Sequence, residues 1–570
     1  MENTLRSWSW LQDDGKNGFI ARHHLRAMGL TQRDLDGRPV IGIGSTYSEL
    51  TPCNAHLRPL VEAVRRGVTQ AGGVALEFPL MSLGEPLMRP TTMFYRNLAA
   101  METEELIRAN PLDAVVLLTG CDKTTPAALM GAASAGVPAI VFPGGAMMSG
   151  NYRGRTVGSG TDVWKMDEDV RAGRATPEDR LELESCLNRS AGHCMTMGTA
   201  STMACIAEAL GMCLPHSSSL LANDSRRVVL AADSGALAVE LAGSDRTPAT
   251  IMTRAAFENA LVVNAALGGS TNAVLHLLAL AGRLGVDLSL ADFDEVGRRV
   301  PVLVDLMPSG RFLMEDFANA GGTPALVGRL APLLRTDAIT VSGETLADSA
   351  SEVWNDEVIR PLSHPVSPVG EGLAVLTGTL APRGAVLKVS AASAELLVHE
   401  GPALVFDSLA DYTTVVDDPG LDVTPDTVLI VRGAGPRGYP GMPEVGNLPL
   451  PRRLLDEGVT DMVRLSDARM SGTAFGTCVL HISPEAAAGG PLALVRTGDI
   501  VRLDVPNRRL DLLVDETDLA HRPIVGTAPV VGVDRGWTKL YVDTVNQADQ
   551  GADLDFLRGA SDSMASTKAF

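Results

Sequence analysis

Between residues 40 and 142 short all-apolar runs alternate with longer stretches of mixed character, and this alternation most constrains the fold. Val40-Ile41-Gly42-Ile43-Gly44, Val74-Ala75-Leu76-Glu77-Phe78, Ala114-Val115-Val116-Leu117-Leu118 and Ala139-Ile140-Val141-Phe142 are strand-length runs. Helix-like segments over about 54–70, 97–109 and 126–135 separate them. Runs apolar on every residue belong to strands covered on both faces, and strand–helix–strand order implies a largely parallel sheet. Open sheets of this kind bind ligands beyond the carboxyl ends of their strands.

Residues of about 195–330 read as mostly helical, broken at Gly268-Gly269-Ser270-Thr271-Asn272 and Gly321-Gly322. After about 365 the texture changes to short β-like runs at 374–376, 385–389, 403–406 and 428–431. Segments 499–505 and 509–514 alternate as a hairpin should, with Pro506-Asn507 at the turn. The expected fold is therefore an N-terminal parallel-sheet α/β domain over 1–365 and a C-terminal β-rich, barrel-like or sandwich domain over 366–570. A linker is placed at the prolines of 361–368, and a tail closes the chain.

Bulk properties narrow the function. The 570 residues are 45% hydrophobic and carry a net charge of -20. Such an acidic chain is a poor ligand for nucleic acid or anionic membrane. No apolar run approaches the roughly 18–20 residues of a membrane span, and the N-terminus lacks a signal-peptide pattern. Seven cysteines argue against a disulfide framework. A cytoplasmic protein is expected.

Three of those cysteines stand in polar turns, each just before a helix-like stretch. They are Cys53 in Thr51-Pro52-Cys53-Asn54, Cys121 in Gly120-Cys121-Asp122-Lys123, and Cys194 in Gly192-His193-Cys194. Three thiolates from distant loops can hold an iron–sulfur cluster and leave one iron open as a Lewis acid. The bland alternative for Cys121 is a buried cysteine beside a solvated Asp–Lys pair. Cys186, Cys205 and Cys213 lie in helix-like apolar surroundings and read as core, and Cys478 reads as structural. His193 is either a donor to a cluster sulfur or a loop histidine.

Asp122 could ligate Mg²⁺, a hard cation that prefers oxygen. An ammonium cannot, so Lys123 would have to be neutral or modified. Glu85 and Glu444, each in a Gly/Pro turn, are either surface residues or two further carboxylate ligands. Gly433-Ala434-Gly435-Pro436-Arg437-Gly438 matches the dinucleotide-binding spacing, but Pro440 and Pro443 follow, so no helix starts there to face a pyrophosphate. Ser471 is either a turn residue or an exposed catalytic hydroxyl, and no nucleophile elbow surrounds it.

The ordered segments Ser48–Asn54, Gly120–Pro126, Gly158–Thr161, Gly268–Ala273, Gly441–Glu444 and Ser483–Ala486 together resemble the dihydroxyacid/sugar-acid dehydratase family, from about Arg38 to about Leu557. The resemblance implies an α/β domain plus a barrel-like domain with the site between them. It implies a [2Fe–2S] cluster on Cys53, Cys121 and Cys194, although three cysteines also suit [4Fe–4S]. It implies Mg²⁺ held by Glu85, Asp122, Glu444 and a carbamylated Lys123, with Ser471 as the base. Ser159, Thr161 and Thr473 are candidate substrate contacts. Segment 546–557 and Ser48–Cys53 look like the pentonate (arabinonate/xylonate) branch. The expected activity is dehydration of a sugar acid to a 2-keto-3-deoxy acid. The alternatives are a branched-chain dihydroxyacid dehydratase and a non-catalytic iron–sulfur protein. A homodimer or homotetramer is expected from the family. Ala146 stands where the family usually has proline.

Overall fold

Four strands form the first sheet: β1 (Val40–Ser45), β2 (Val74–Pro79), β3 (Ala114–Thr119) and β4 (Ala139–Pro143). The computed structural model describes residues 5–526 and 532–559. The strand order is β2-β1-β3-β4, and every pairing is parallel. β1, β3 and β4 are buried along their whole length, as their unbroken apolar sequences require.

Helices α1 (Leu57–Gln70), α2 (Thr92–Ala109) and α3 (Thr124–Ala135) connect the strands. α1 buries Leu57, Leu60, Val61, Val64 and Val68, a single stripe at helical spacing. α2 starts at Thr92, five residues before the expected point. Its first turn is Thr-Met-Phe-Tyr, poor in strong helix formers, and the start is set by Thr91, whose hydroxyl accepts from Met93 N at 3.4 Å. α3 starts at Thr124, two residues early.

The chain leaves β1 toward β2 on one side and returns to β3 on the other. The carboxyl ends of β1 and β3 therefore flank a topological switch point, where a crevice opens. The loop after β1 carries Cys53, and the loop after β3 carries Cys121, Asp122 and Lys123.

A small excursion follows: hairpin β5 (Gly150–Tyr152) and β6 (Arg155–Val157), then α4 (Thr161–Arg171) and α5 (Pro177–Leu187). It has its own apolar cluster of Val157, Met166, Leu183 and Leu187. The helical region expected after 195 then appears, with α6 (Thr199–Ala209), α7 (Ser225–Leu241), α8 (Arg254–Ala266) and α9 (Asn272–Leu284). Breaks fall at Gly268–Thr271 and Gly321 as the sequence indicates.

The second sheet has eight strands: β7 (Leu373–Leu376), β8 (Gly384–Lys388), β9 (Val398–Phe406), β10 (Val428–Val431), β11 (Arg464–Ser466), β12 (Cys478–Ser483), β13 (Ile500–Asp504) and β14 (Arg509–Leu512). Their order is β14-β13-β9-β10-β11-β12-β8-β7. Thr377, just past β7, bridges Arg509 at the start of β14. Thr377 N donates to Arg508 O at 3.0 Å, and Leu510 N donates to Thr377 O at 3.1 Å. These bonds join the two edges and close a barrel, which removes exposed strand edges. Leu376, Leu387, Ile430, Val479, Val501 and Leu510 fill its interior.

The proline segment at 361–368 is tied to the helical part by an antiparallel bridge from Ser367 to Val302. Residues 536–557 then return to the first part. α10 (Gly536–Thr544) and the residues after it cover α2 and α9. Tyr541 and Trp537 pack on Phe94 with centroids 5.1 and 5.9 Å away. Buried Arg96 donates from Nη2 to the carbonyls of Gly551 and Ala552 at 3.0 and 2.9 Å. Buried Arg283 pairs with buried Asp553 at 2.9 Å. Among the described residues no helix is long and apolar enough to cross a membrane.

Candidate active site

The crevice at the switch point gathers residues from widely separated stretches of chain. Asn54 braces the two cysteine loops. Its Oδ1 accepts from Cys121 N at 2.9 Å, while its Nδ2 donates to Thr46 O and to Ser82 Oγ at 3.0 and 3.1 Å. Gly120 permits this approach, since a Cβ there would lie 2.3 Å from Asn54 Oδ1.

Carboxylate oxygens of Glu85, Asp122 and Glu444 lie within 4.8 Å of one another. Lys123 Nζ sits among them, 2.6 Å from Asp122, 3.3 Å from Glu85 and 3.7 Å from Glu444. Lys123 is fully buried. Burial disfavours its ammonium, but Asp122, Glu85 and Glu444 outweigh burial and Arg469, and hold its pKa above the usual value.

The three carboxylates are not equivalent. Burial acts to raise Glu85, yet Lys123, Arg469 and the Thr92 and Thr91 hydroxyls bring it to about 2. Glu444 is raised instead, by burial and by Glu85. Thr91 Oγ1 donates to Glu85 Oε1 at 2.7 Å, and Thr92 bonds the other oxygen. Arg469 Nη1 and Asn272 Nδ2 donate to Glu444 Oε1 at 2.9 and 3.2 Å. Glu444 comes from the barrel part and Asn272 from α9, so the cluster spans both parts of the molecule.

Cys53 and Cys121 are buried and Cys194 is partly so; none is in a disulfide. Burial and Cys53 push the Cys194 thiol up to about 12. The Cys121 thiol is raised by its bond to Cys53 and by burial. Cys121 and Cys194 thus each lie within electrostatic reach of Cys53 and are costly to ionise alone. A polynuclear cation that takes all three as thiolates relieves that cost, and the donor set fits an iron–sulfur cluster. The oxygen donors beside it fit a hard divalent cation. His193 does not turn its Nδ1 toward the thiols; that atom lies 3.0 Å from the Cys194 carbonyl. Cys205 and Cys213 lie in the main core and Cys478 in a small core cluster, whereas Cys186 on α5 is half-exposed rather than core.

Ser471 Oγ lies 2.8 Å from Thr473 Oγ1, and Thr473 N donates to it at 3.4 Å. Thr161 Oγ1, in the first turn of α4, donates to Thr473 O at 3.0 Å. Trp164 Nε1 donates to Thr473 Oγ1 at 3.3 Å. Ser159 N donates to Met195 Sδ, while its buried hydroxyl faces the Cys194 thiol and favours the thiolate. Ser159, Thr161, Ser471 and Thr473 are therefore interlinked through the α4 loop, Met195 and the barrel loop. Ala146 bridges His193 and Leu221, next to Cys194.

Two family models match consecutive parts of the chain. Residues 38–349 match the dihydroxy-acid/6-phosphogluconate dehydratase N-terminal family, and residues 357–552 match its C-terminal counterpart. The chain belongs to this dehydratase family. The dehydratase is 54% identical to the L-arabonate dehydratase of Azospirillum brasilense, over 97% of both chains. It is 47% identical to the 6-deoxy-6-sulfo-D-gluconate dehydratase of Pseudomonas putida, over 97% of this chain and 96% of that one. It is 41% identical to the dihydroxy-acid dehydratase of Ignicoccus hospitalis, over 93% and 97%. Family membership makes it a hydro-lyase.

Four residues at the dehydratase site escape residue-by-residue reading: Thr91, Thr92, Asn272 and Arg469. Asn272 lies in the segment Gly268–Ala273 and Arg469 stands two residues before Ser471, which was the available signal. Thr91 and Thr92 carried none, because a threonine pair after a proline is an ordinary helix start.

Proposed function

We propose that this dehydratase removes water from a sugar acid, a pentonate such as arabinonate or xylonate, to give a 2-keto-3-deoxy acid. The observation that carries this reading is the placing of three carboxylates around Lys123 at a crevice that also holds Ser471 and a row of hydroxyls. Ser159 Oγ is a buried hydroxyl beside the Cys194 thiol, and Thr161, Thr199, Ser270 and Thr473 add further oxygens. Buried hydroxyl-bonding groups suit a polyol tail and would be left unpaired by an aliphatic one. The high identity to an L-arabonate dehydratase agrees with this.

Cys53, Cys121 and Cys194 would hold a [2Fe–2S] cluster, and Glu85, Asp122, Glu444 and a carbamylated Lys123 would hold Mg²⁺. When bound, these groups supply Lewis acidity, toward the substrate's 3-hydroxyl and toward its carboxylate and 2-hydroxyl respectively. Carbamylation replaces the ammonium, which balances three carboxylates, with an oxygen donor that leaves room for the cation.

Ser471 Oγ would take the proton from C2. Two donors from Thr473, its hydroxyl and its N–H, face the serine oxygen and would stabilise it as alkoxide. The C2–H and C3–O bonds break, C2=C3 forms, hydroxide leaves with a proton as water, and the enol tautomerises to the ketone. Buried Arg469 fixes Glu444, while Thr91 and Thr92 fix Glu85.

The test is protein purified without air, assayed for iron and sulfide, then offered a panel of aldonates and dihydroxyisovalerate with Mg²⁺. Formation of a 2-keto-3-deoxy acid from a pentonate supports the reading. Turnover of dihydroxyisovalerate alone would replace it with the branched-chain activity.

A further inference from the structure

The glycine turn Gly433–Gly438 follows β10 and resembles a phosphate cradle, yet it wraps two carboxylates of the chain itself. Asp467 Oδ1 accepts from Ala434 N at 2.9 Å, and its Oδ2 accepts from Gly433 N and Ala486 N at 3.2 and 3.0 Å. Glu485 accepts from Arg437 N at 3.0 and 3.1 Å and from Gly438 N at 3.0 Å. Gln547, from the returning C-terminal segment, closes the arrangement. Its Nε2 donates to Glu485 Oε1 at 2.6 Å, and its Oε1 accepts from Glu485 N at 2.9 Å.

Both carboxylates are almost wholly buried, each with 1% exposure. Backbone N–H groups, not basic side chains, dominate what steadies them. Two carboxylates buried side by side are expensive, so their place in the chain matters. Glu444 follows the turn by six residues and Ser471 follows Asp467 by four. The two segments also bond directly: Arg469 N donates to Pro443 O at 3.3 Å, and Gly446 N donates to Arg469 O at 2.8 Å. Gly435 is needed for this fit, because a Cβ there would meet Glu485 Oε2 at 2.5 Å.

We propose that Asp467 and Glu485 are positioning residues, an internal carboxylate pair bound by the glycine turn that sets Glu444 and Ser471 in register with each other. This rests on the reading of Glu444 as a Mg²⁺ ligand and Ser471 as the base. Neither carboxylate touches the reacting atoms; each acts through the backbone that leads to them.

The experiment is E485Q in the full-length, cluster-loaded protein, with Mg²⁺ affinity measured by calorimetry without substrate, and kcat, KM, circular dichroism and iron content measured in parallel. The expected result is Mg²⁺ binding weakened about 10–100-fold and kcat reduced more than KM is changed, with circular dichroism and iron content unchanged. D467N serves as the second variant and should weaken Mg²⁺ binding in the same sense should E485Q fail to fold. Wild-type Mg²⁺ affinity and kcat in folded E485Q would overturn the proposal alone. Failure of the wild-type protein to bind Mg²⁺ would overturn the reading of Glu444 and this proposal with it.

Discussion

Trp164 donates its indole N–H to the hydroxyl of Thr473, across 3.3 Å between α4 and the barrel loop. Indole nitrogen can only donate, so the Thr473 oxygen is an acceptor there and its own proton is free for Ser471 Oγ, 2.8 Å away. The indole thus biases the direction of the pair. W164F keeps the ring and deletes the donor. Loss of one neutral hydrogen bond is worth about 1 kcal/mol, so kcat should fall about five-fold with little change in KM, as read from steady-state kinetics.

Ser471 should be indispensable while leaving the fold alone. S471A is expected to lower kcat by about 10²–10⁴-fold with unchanged iron content and circular dichroism. Near-normal turnover by S471A would remove the serine from the base role.

The cysteines should divide into two groups. C53S, C121S and C194S should each lose bound iron, whereas C205S and C213S should retain it, since those two sulfurs lie in the main apolar core. Iron and sulfide assays on protein purified without air decide this.

Lys388, at the end of β8, is buried, its Nζ lacks a hydrogen-bond partner, and burial brings its pKa down to about 7. The unfolded chain holds this proton up to the ordinary lysine range, so between about pH 7 and pH 10 the unfolded state binds more protons. This group's contribution therefore rises with pH across that window and is at its worst below 7. K388M should raise stability, by several kcal/mol at pH 6 at about 1.4 kcal/mol per pKa unit, and by less at pH 9. Denaturant titrations at the two pH values test the sign.

Arg283 and Asp553 form an ion pair buried on both sides. R283M leaves a buried carboxylate without its cation, which costs roughly 3–5 kcal/mol. The C-terminal segment should become protease-sensitive at lower temperature than in the wild type.

Strands β1, β3 and β4 were legible because each is an apolar run bounded by glycine, proline or polar residues, a pattern that burial on both faces dictates, whereas β2, at the sheet edge, is half-buried and carries Glu77. The start of α2 was not, because a threonine cap rather than apolar periodicity sets it. The barrel strands were visible singly, but closure depends on Thr377 meeting Arg509, more than a hundred residues later, and no local pattern carries that. At the site, Cys53, Cys121 and Cys194 stood out by their polar settings. Asn272 and Arg469 did not, since their role comes from hydrogen bonds that cross between the two parts.

The covering of α2 by the returning C-terminal segment ties the Glu85 loop to a distant part of the sequence. Thr91 and Thr92, which hold Glu85, begin the same helix that carries Arg96. Arg96 Nη2 reaches the carbonyls of residues 551 and 552, while Asn97 and His276 meet its other protons. The helix that presents Glu85 is thus clamped from behind by the returning segment, so loosening that segment loosens a carboxylate it never touches.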